Sequence, residues 1–373
     1  MVKRKAVVAM SGGVDSSVAA ALLIERGYDV TGIMLKLWRG DDINNSSGCC
    51  SVGAADDARR VADVLGIPFY VLNFAQRFEN SVIADFNRTY LEGRTPNPCV
   101  RCNQWIKFDT LLEKAAGLGA DVLATGHYAR VVEDDGVRRL LRGRDPNKDQ
   151  SYVLWMLRQS QLERCTFPVG HLEKPQTRKI AEELGLRTAH KPDSQEICFV
   201  RNGDLSTYIG ERLPEASEQG PILDNEGREL GRHDGLAHFT VGQRKGLGLS
   251  LGVPLYVTSL NPTSNSVVVG RRDELAVAAL VTEETSFVGP PPASGTEVFV
   301  QYRAHGETFP AVLESVDEGR AEIRFQVPPD GVAPGQSAAF YSGDRPDELL
   351  GGGIIESTIP VLEAEKGTKA AHR

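Results

Sequence analysis

Hydrophobic and polar residues follow two different patterns along the chain, and the pattern changes near residue 202. Before that point, short apolar runs typical of strands lie at residues 5–10, 30–37, 69–73 and 122–125. Stretches with helical periodicity separate them, at residues 16–26, 54–65 and 108–118. This alternation predicts an α/β domain with a mostly parallel, doubly wound sheet. Ligands of such sheets bind beyond the carboxyl ends of the strands, so the loops after Met10, Leu37 and Thr125 are expected to meet at one crevice.

The remainder of the chain has no long helical period after residue 220. Short strand-like runs are separated there by Gly, Pro and Asn, at residues 254–259, 266–269, 297–302 and 321–327. Their length and spacing predict a small β-barrel or sandwich. A chain of 373 residues also exceeds one ordinary core, so two or three domains are expected.

The overall composition is that of a soluble globular protein, with 41% hydrophobic and 25% charged residues. The apolar stretch near the start, residues 6–10, is much shorter than a signal-peptide core, and no later run is long enough to cross a bilayer. We therefore expect a cytoplasmic protein with no membrane partner. In that compartment the six cysteines are expected to be reactive, metal-bound or buried rather than permanently bridged.

A net charge of −8 argues against a protein that coats nucleic acid indiscriminately, but a local basic surplus would suffice for specific binding. Residues 138–148 contain five basic residues and one acidic residue, and Gly and Pro in the segment predict a loop. The alternative is an ordinary solvated turn.

The first predicted strand continues directly into Ser11, Gly12, Gly13, Val14 and Asp15, followed by Ser16, Ser17 and a predicted helix. Adjacent glycines allow main-chain N–H groups to face an anion, and the helix N-terminus adds unpaired donors and partial positive charge. The segment has neither the Gly-Lys-Ser/Thr of a Walker loop nor G-x-G-x-x-G. It resembles the pyrophosphate loop S-G-G-x-D-S, whose enzymes cleave ATP between the α and β phosphates.

Further motifs agree with this loop in order and spacing, and they lie at residues 97–103 (NPCVRCN), 125–128 (TGHY), 148–152 (KDQSY), 193–199 (DSQEICF) and 241–248 (VGQRKGLG). From Ala9 to about Gln336, the chain resembles the tRNA-specific 2-thiouridylase family. The resemblance implies a catalytic pyrophosphate-loop domain, similar to adenine nucleotide α-hydrolases, at residues 1–202. It further implies a small middle domain at 203–278, a C-terminal β-barrel at 279–362 and a frayed tail at 363–373.

The resemblance also implies a reaction in two halves. The C2 carbonyl oxygen of a wobble uridine attacks the α-phosphate of ATP, with Mg²⁺ expected alongside the nucleotide, and a persulfide sulfur then displaces AMP. Cys198 would carry the persulfide, supplied by a sulfur-carrier protein, and Cys102 would form a transient disulfide with it. The resemblance also implies that the substrate is tRNA. We expect this protein to be a monomer.

Residue by residue, the resemblance assigns three groups of contacts. ATP would contact Ala9, Met10, Ser11, Gly12, Gly13, Val14, Asp15, Ser16, Leu35 and Gly126. The target base would contact Asn97, Pro98 and Cys99. The rest of the tRNA would contact His127, Lys148, Asp149, Gln150, Tyr302, Arg303 and Gln336. His127, taken alone, is equally well explained as a hydrogen-bonded core histidine.

Cys99 departs from relatives that carry Asp at the matching position, where the carboxylate resembles an acid/base group. Either another group or water transfers the proton, or Cys99, Cys102 and Cys198 hold an iron–sulfur cluster with one open iron. A structural metal site that pairs Cys99 and Cys102 with Cys49 and Cys50, or with Cys198, is a further alternative. We favour the metal-free persulfide route because nothing else in these segments requires a metal.

Two other functional classes remain open from the sequence. A related adenylating enzyme would transfer nitrogen instead of sulfur, although it would have no need of two separated redox cysteines. A nucleotide-sensing binding module with incidental thiols is the non-enzymatic alternative, and the additional β domain disfavours it.

Overall fold

The protein is described by a computed structural model over residues 3–37, 52–193, 197–200, 204–250, 252–361 and 364. Three features considered above lie outside the described residues. They are the loop expected after Leu37, at residues 38–51 and including Cys49 and Cys50, residues 194–196 before Cys198, and the predicted tail except for residue 364.

The helices concentrate in the first 220 residues, as the hydrophobic pattern predicts. The α-helices are α1 (Val14–Glu25), α2 (Val52–Leu65), α3 (Ala75–Phe78), α4 (Ala84–Leu91), α5 (Pro98–Arg101), α6 (Leu112–Gly117), α7 (Gln159–Leu162), α8 (Lys174–Glu183) and α9 (Leu205–Arg212). π-Helical segments cover Glu79–Ile83 and Cys102–Leu111. Short 3₁₀ helices are Ser151–Leu154, Pro168–His171, Arg187–His190, Pro214–Ser217, Leu236–His238 and Arg272–Leu275.

Strands occur throughout the chain and are the main elements after residue 220. They are β1 (Lys5–Ala9), β2 (Asp29–Lys36), β3 (Phe69–Asn73), β4 (Val122–Ala124), β5 (Ala129–Asp134), β6 (Val137–Arg142), β7 (Cys165–Thr166), β8 (Gly220–Leu223), β9 (Glu229–His233), β10 (Tyr256–Asn261), β11 (Ser266–Gly270), β12 (Val277–Phe287), β13 (Thr296–Gln301), β14 (Phe309–Asp317), β15 (Arg320–Phe325), β16 (Ser337–Ser342) and β17 (Glu348–Pro360).

The chain forms two compact units that exchange short segments. The first unit comprises Met1–Ile83, Pro98–Gly203 and Asp347–Leu350, and the second comprises Ala84–Asn97, Asp204–Pro346 and Gly351–Arg373. The hydrophobic pattern does not predict this exchange, because nothing local marks residues 84–97 as part of the later unit.

The first unit contains a five-stranded sheet in the order β3-β2-β1-β4-β7, and every neighbouring pair is parallel. Its core includes Val8 of β1, Val18 and Leu23 of α1, and Met34 of β2, all at most 2% exposed. A parallel sheet needs crossover segments that cover its faces, which explains why strand-like and helix-like patterns alternate in the sequence. The predicted parallel α/β domain is confirmed.

The predicted basic loop at residues 138–148 is wrong over its first half, because residues 137–142 form β6. This strand pairs antiparallel with β5 through a two-residue turn in which Asp135 has φ 50° and Gly136 has φ 75°. Positive φ at both turn residues is what a two-residue hairpin with the right-handed twist of its strands requires. The Asp-Gly pair at residues 135–136 indicates such a hairpin turn in the sequence. The prediction of a loop rested instead on the Gly and Pro residues that follow the pair.

The second unit contains two separate β structures. A four-stranded sheet in the order β10-β11-β8-β9 packs a small core that includes Ile222, Val257 and Val267. Six further strands follow in the order β12-β15-β14-β13-β16-β17, and pairing of β12 with β17 closes them into a barrel. The predicted C-terminal β-barrel is therefore confirmed.

Most predicted element boundaries agree with the structure within about two residues. The exception is the helix expected at 108–118, because the helical segment begins ten residues earlier at Pro98 and includes π-helical turns. Within the described residues, no helix combines the length and hydropathy that crossing a membrane requires.

Gly170 tests the packing of the first unit. A Cβ atom at this position would overlap the backbone carbonyl of Ala129 in β5, which cannot move without disturbing the hairpin. We expect Gly170→Ala to lower the free energy of unfolding by about 1–3 kcal/mol. Gly117→Ala is the matched control, because nothing lies within 4 Å of its added methyl group and Ala favours the helix. Equal stability of both variants in urea unfolding would contradict this packing.

Candidate functional site

The loop between β1 and α1 is held closed by its own side chains. The backbone N–H of Ser11 donates to Ser16 Oγ over 3.1 Å, while Ser16 and Ser17 donate their hydroxyl groups to the Gly13 carbonyl over 3.2 and 2.8 Å. Gly13 is the N-cap residue of α1, and no side chain caps this helix end. The first N–H groups of a helix have no intrahelical acceptor, so this end presents donors and partial positive charge to an anion.

Two glycines allow the backbone around the loop to pack closely. Gly12 has φ 69°, and a Cβ atom there would overlap the carbonyl oxygen of Ala54 in α2. A Cβ atom at Gly126, just beyond β4, would lie 2.6 Å from the backbone nitrogen of Ser16. Side chains at either position would displace the loop from α2 or the β4 end from α1. The loops after β1 and β4 therefore meet, as the sequence predicts.

Asp15, in the first turn of α1, is bound by groups from later in the chain. Lys174 Nζ donates to both carboxylate oxygens over 2.7 and 2.9 Å, and the Tyr128 hydroxyl donates to Oδ1 over 2.9 Å. Burial raises the Tyr128 pKa, as do Asp15 and Asp193, so the phenol stays protonated and remains a donor.

Lys174 also contacts a second carboxylate. Its Nζ lies 2.7 Å from Asp193, which additionally pairs with Lys148 over 2.8 Å and with Arg178 over 3.2 Å. Partial burial of Asp193 raises its pKa, but hydrogen bonds from Lys148 and Lys174 outweigh that effect and hold the pKa below its usual value. Asp193 is therefore ionised at neutral pH.

Lys191 makes a separate connection to the loop. Its Nζ donates to the Gly12 carbonyl over 3.0 Å and to Asp57 Oδ2 over 2.8 Å, so it ties the loop to α2. Lys191 and Asp193 belong to the chain segment that leads to Cys198. Lys191 contacts the phosphate loop directly, and Asp193 is connected to it through Lys174.

The remaining residues expected to contact ATP surround this loop. Ala9 ends β1, and the Met10 backbone N–H donates to Ile33 of β2 over 2.8 Å. Val14 begins α1 with its side chain buried, and Leu35 is buried in β2. All of these residues belong to the first unit, and their contacts with ATP stay a prediction.

The segment expected to contact the target base begins a helix. Pro98 is the first residue of α5, where its fixed φ fits and its missing N–H costs no hydrogen bond. Cys99 is exposed and Cys102 half-buried, and a spacing of three residues puts them on one side of the helix. Asn97, half-buried, precedes this helix.

None of the four described cysteines, Cys99, Cys102, Cys165 and Cys198, is in a disulfide. Cys198 is half-buried and follows the undescribed residues 194–196. Burial raises the pKa of Cys165 to about 12, so its thiol stays protonated, as expected of a small core residue. Within the described part of the chain, no three His, Cys, Asp or Glu side chains are grouped to hold a metal ion.

His127 is a buried residue in this structure. Its Nδ1 lies 2.7 Å from Thr125 Oγ1, and its ring packs against Phe108 and Phe167 at centroid distances of 5.9 and 6.0 Å. Burial, with the charge of Lys107, lowers the His127 pKa well below its usual value, so the ring is neutral. This environment is that of the core histidine considered as the alternative, and its contact with tRNA stays a prediction.

The carboxylate of Asp149 is fully engaged within the protein. It accepts from Arg142 Nη1 over 2.7 Å, from the Gly143 backbone over 2.9 Å, and from both the backbone and the hydroxyl of Ser151. Neighbouring Gln150 is exposed, while its Oε1 accepts from the Tyr128 backbone over 3.0 Å. Asp149 thus shapes the loop that presents Lys148 and Gln150.

The arginines of the basic segment are largely paired. Arg138 pairs with Glu133, Arg139 with Asp134 and Glu348, and Arg142 with Asp149. Arg144, by contrast, has an exposed side chain. The segment therefore offers less positive charge to a polyanion than its composition suggests.

In the second unit, Gln336 contacts the chain just before the base-contact segment. Its Nε2 donates to the carbonyls of Thr95 and Pro96 over 3.2 and 3.0 Å. Tyr302 is buried, and its hydroxyl donates to the Asp330 carbonyl over 3.1 Å. Exposed Arg303 stacks on the Tyr302 ring at 5.3 Å and donates to the Gly331 carbonyl over 2.9 Å. Tyr302, Arg303 and Gln336 are expected to contact tRNA.

Lys174, Lys191 and Tyr128 belong to the loop site without having been predicted as parts of it. Lys174 and Asp15 are separated by 159 positions, so no local pattern could connect them. The absence of a lysine within the loop was the available signal, because a phosphate site needs positive charge from elsewhere.

Comparison with known families gives three consecutive matches. A model described as tRNA methyl transferase HUP domain matches residues 4–202, one described as tRNA methyl transferase PRC-barrel domain matches residues 206–271, and one described as aminomethyltransferase beta-barrel domain matches residues 277–355. A solved structure titled as a 4-thiouridine synthetase–RNA complex with bound ATP shares 17% identity, with a TM-score of 0.35, over 57% of this chain and 51% of that chain.

Curated relatives match nearly the whole chain. A tRNA-specific 2-thiouridylase MnmA of Clostridium perfringens is 46% identical over 362 residues, which cover 96% of this chain and 100% of the relative. The protein of the same name from Carboxydothermus hydrogenoformans is 47% identical over 363 residues, covering 96% and 99% of the two chains. The chain belongs to the tRNA-specific 2-thiouridylase family.

Proposed function

We propose that this protein is an ATP-dependent sulfurtransferase that replaces the C2 oxygen of a tRNA wobble uridine with sulfur. The observation that carries this proposal is the full-length similarity to tRNA-specific 2-thiouridylases, together with a phosphate loop built at the start of α1. We further propose that the chain has three functional domains, which end near residues 202, 278 and 362.

ATP is proposed to bind with its phosphates at the Gly12–Gly13 loop. The uridine C2 oxygen forms a bond to the α-phosphorus, and the bond from the α-phosphorus to the oxygen bridging to the β-phosphate breaks. Pyrophosphate leaves with that electron pair, and the uridine N3 proton passes to water. The helix end and the cations around Asp15 and Asp193 favour the leaving pyrophosphate.

Sulfur transfer is proposed to use Cys198 and Cys102. The terminal sulfur of a Cys198 persulfide attacks C2, and AMP leaves with the electrons of the C2–O bond. The Cys102 thiolate then attacks Cys198 Sγ and breaks the S–S bond, leaving sulfur on C2. The two cysteines are oxidised to a disulfide as the transferred sulfur is reduced, and an external thiol restores them.

Mg²⁺ bound with ATP would neutralise phosphate charge. Asp15 supplies a carboxylate beside the loop, which fits the usual Mg²⁺ site of one or two carboxylates plus phosphates and water. An iron–sulfur cluster needs three grouped thiolates, and no such group occurs among the described residues, so no step is assigned to one. We further propose that a cytoplasmic monomer receives its sulfur from a carrier protein.

Mass spectrometry of tRNA nucleosides tests the proposed function. Incubation with tRNA, ATP and a persulfide donor should yield 2-thiouridine, with pyrophosphate released only when tRNA is present. Cys198→Ser and Cys102→Ser should each stop thiolation while leaving tRNA-dependent pyrophosphate release measurable, since adenylation precedes sulfur transfer. Cys165→Ser is the matched control, because its buried thiol has no proposed chemical role. Normal thiolation by Cys198→Ser would contradict the assignment.

The salt dependence of tRNA binding tests the basic segment. Arg144→Ala should weaken binding and reduce the slope of log affinity against log salt by about one unit, because an exposed phosphate contact is lost. Arg142→Ala should mainly lower stability, since it leaves the buried Asp149 carboxylate without its ion pair. Arg228→Ala, which removes an exposed arginine of the second unit, is the control. An unchanged slope in Arg144→Ala would show that this residue is only solvated.

Replacement of Cys99 tests the metal-free route. Cys99→Asp should retain thiolation, because the exposed side chain of Cys99 has no proposed role in holding sulfur. Protein purified without oxygen should contain no stoichiometric iron or sulfide. A cluster detected by absorption and iron analysis, lost together with thiolation in Cys99→Asp, would replace the persulfide mechanism with a cluster-dependent one.

A further inference from the structure

Lys174 combines burial with two anionic partners beside the phosphate loop. It is 7% exposed, and its ammonium group contacts both oxygens of Asp15 and one oxygen of Asp193. A buried ammonium group is costly unless its charge is compensated, and these two carboxylates compensate it. Lys174 is also the first residue of α8, so its backbone is fixed while its long side chain ends at the start of α1.

Several charged side chains meet around Lys174. Among the described residues, three cations (Lys148, Lys174 and Arg178) pair with two carboxylates (Asp15 and Asp193). The hydrogen-bonded phenol of Tyr128 is neutral, and a third carboxylate, Asp145, accepts from the Lys174 backbone N–H over 2.9 Å. This group of ion pairs lies beside a helix N-terminus that itself favours anions.

The phosphate loop contains no cationic residue. Backbone N–H groups can orient phosphate oxygens, but a leaving pyrophosphate develops charge that a nearby cation stabilises more strongly. Lys191 is less suited to this role because it is engaged by the Gly12 carbonyl and Asp57 and joins the loop to α2. Lys174 reaches the carboxylate in the first turn of α1 without bonding to the loop backbone.

We propose that Lys174 binds the phosphates of ATP and the leaving pyrophosphate, exchanging its carboxylate partners for phosphate oxygens when nucleotide arrives. This inference rests on the proposed function. Asp15 and Asp193 hold the ammonium group beside the loop before binding, and the flexible lysine stem allows the exchange. Once Lys174 turns to phosphate, the Asp15 carboxylate would be available to hold a Mg²⁺ ion bound with the nucleotide. Asp193 retains Lys148 and Arg178 as partners.

Binding of inorganic pyrophosphate and of Mg²⁺-ATP, each measured by calorimetry without tRNA, tests this role. Lys174→Met should weaken both affinities roughly 10- to 100-fold, the range expected for loss of a charge-assisted hydrogen bond. Lys179→Met is the matched control, because Lys179 lies on the same helix with its side chain 76% exposed. Its affinities should equal those of the wild type.

A purely structural Lys174 gives a different result. Lys174→Met would then lower the melting temperature but bind pyrophosphate as tightly as the wild type, which would overturn the proposal. If Lys174→Met does not fold, Lys174→Gln carries the same test, since its amide still donates to a carboxylate but has no charge. Unchanged affinity in Lys174→Gln would equally overturn the proposal.

Asp193→Asn provides an independent measurement with the lysine retained. It removes an anion that competes with phosphate for Lys174, so pyrophosphate should bind several-fold more tightly. The gain should disappear in the Lys174→Met or Lys174→Gln background, whereas a gain that persists there would assign the effect to general electrostatics and contradict the exchange. Failure of the wild-type protein to bind ATP would instead refute the proposed function.

Discussion

The negative charge of the Asp15 carboxylate is compensated at the N-terminus of α1, a helix end that attracts anions. Its position at the start of α1 is favourable for a negative charge, and Lys174 and Tyr128 hold it there. Lys174 brings Asp193 into the same group, and Asp193 in turn orders Lys148. The loop, α8 and the segment before Cys198 therefore share one electrostatic constraint. Asp15 and Lys148 are thereby linked through Lys174 and Asp193, the last described residue before the segment that contains Cys198.

The parts of this site that follow from local sequence could be predicted. The strand, the two glycines and the helix start are consecutive, so their geometry follows from backbone preferences and hydrophobic periodicity. The predicted meeting of the loops after β1 and β4 agrees with the structure, because Ser16 leaves no room for a side chain at Gly126. The contacts of these residues with ATP remain predictions, as do those of the base and tRNA segments.

The parts that depend on pairing between charged side chains were not predicted. Composition marked residues 138–148 as basic but could not indicate that Glu133, Asp134, Asp149 and Glu348 would take up most of that charge. The family resemblance assigned Lys148, Asp149 and Gln150 to tRNA, but it did not indicate that the buried Asp149 carboxylate also holds its own loop. Sequence separation conceals only the pairing of Arg139 with Glu348, 209 positions away, whereas Glu133, Asp134 and Asp149 lie within seven positions of their partners and were available as local signals.

The exchange of residues 84–97 between units has a consequence for synthesis of the chain. Thr95 and Pro96 bond to Gln336, and Arg94 pairs with Glu283, so these partners do not exist when residues 84–97 leave the ribosome. Thr95 precedes Gln336 by 241 positions, which corresponds to on the order of 10–50 s of translation. An N-terminal fragment ending near residue 203 would contain the whole phosphate loop but would leave this segment without its contacts to Gln336 and Glu283. Residues 84–97 thus gain their contact with Gln336 late, after four of the six barrel strands, β12 to β15, have been made.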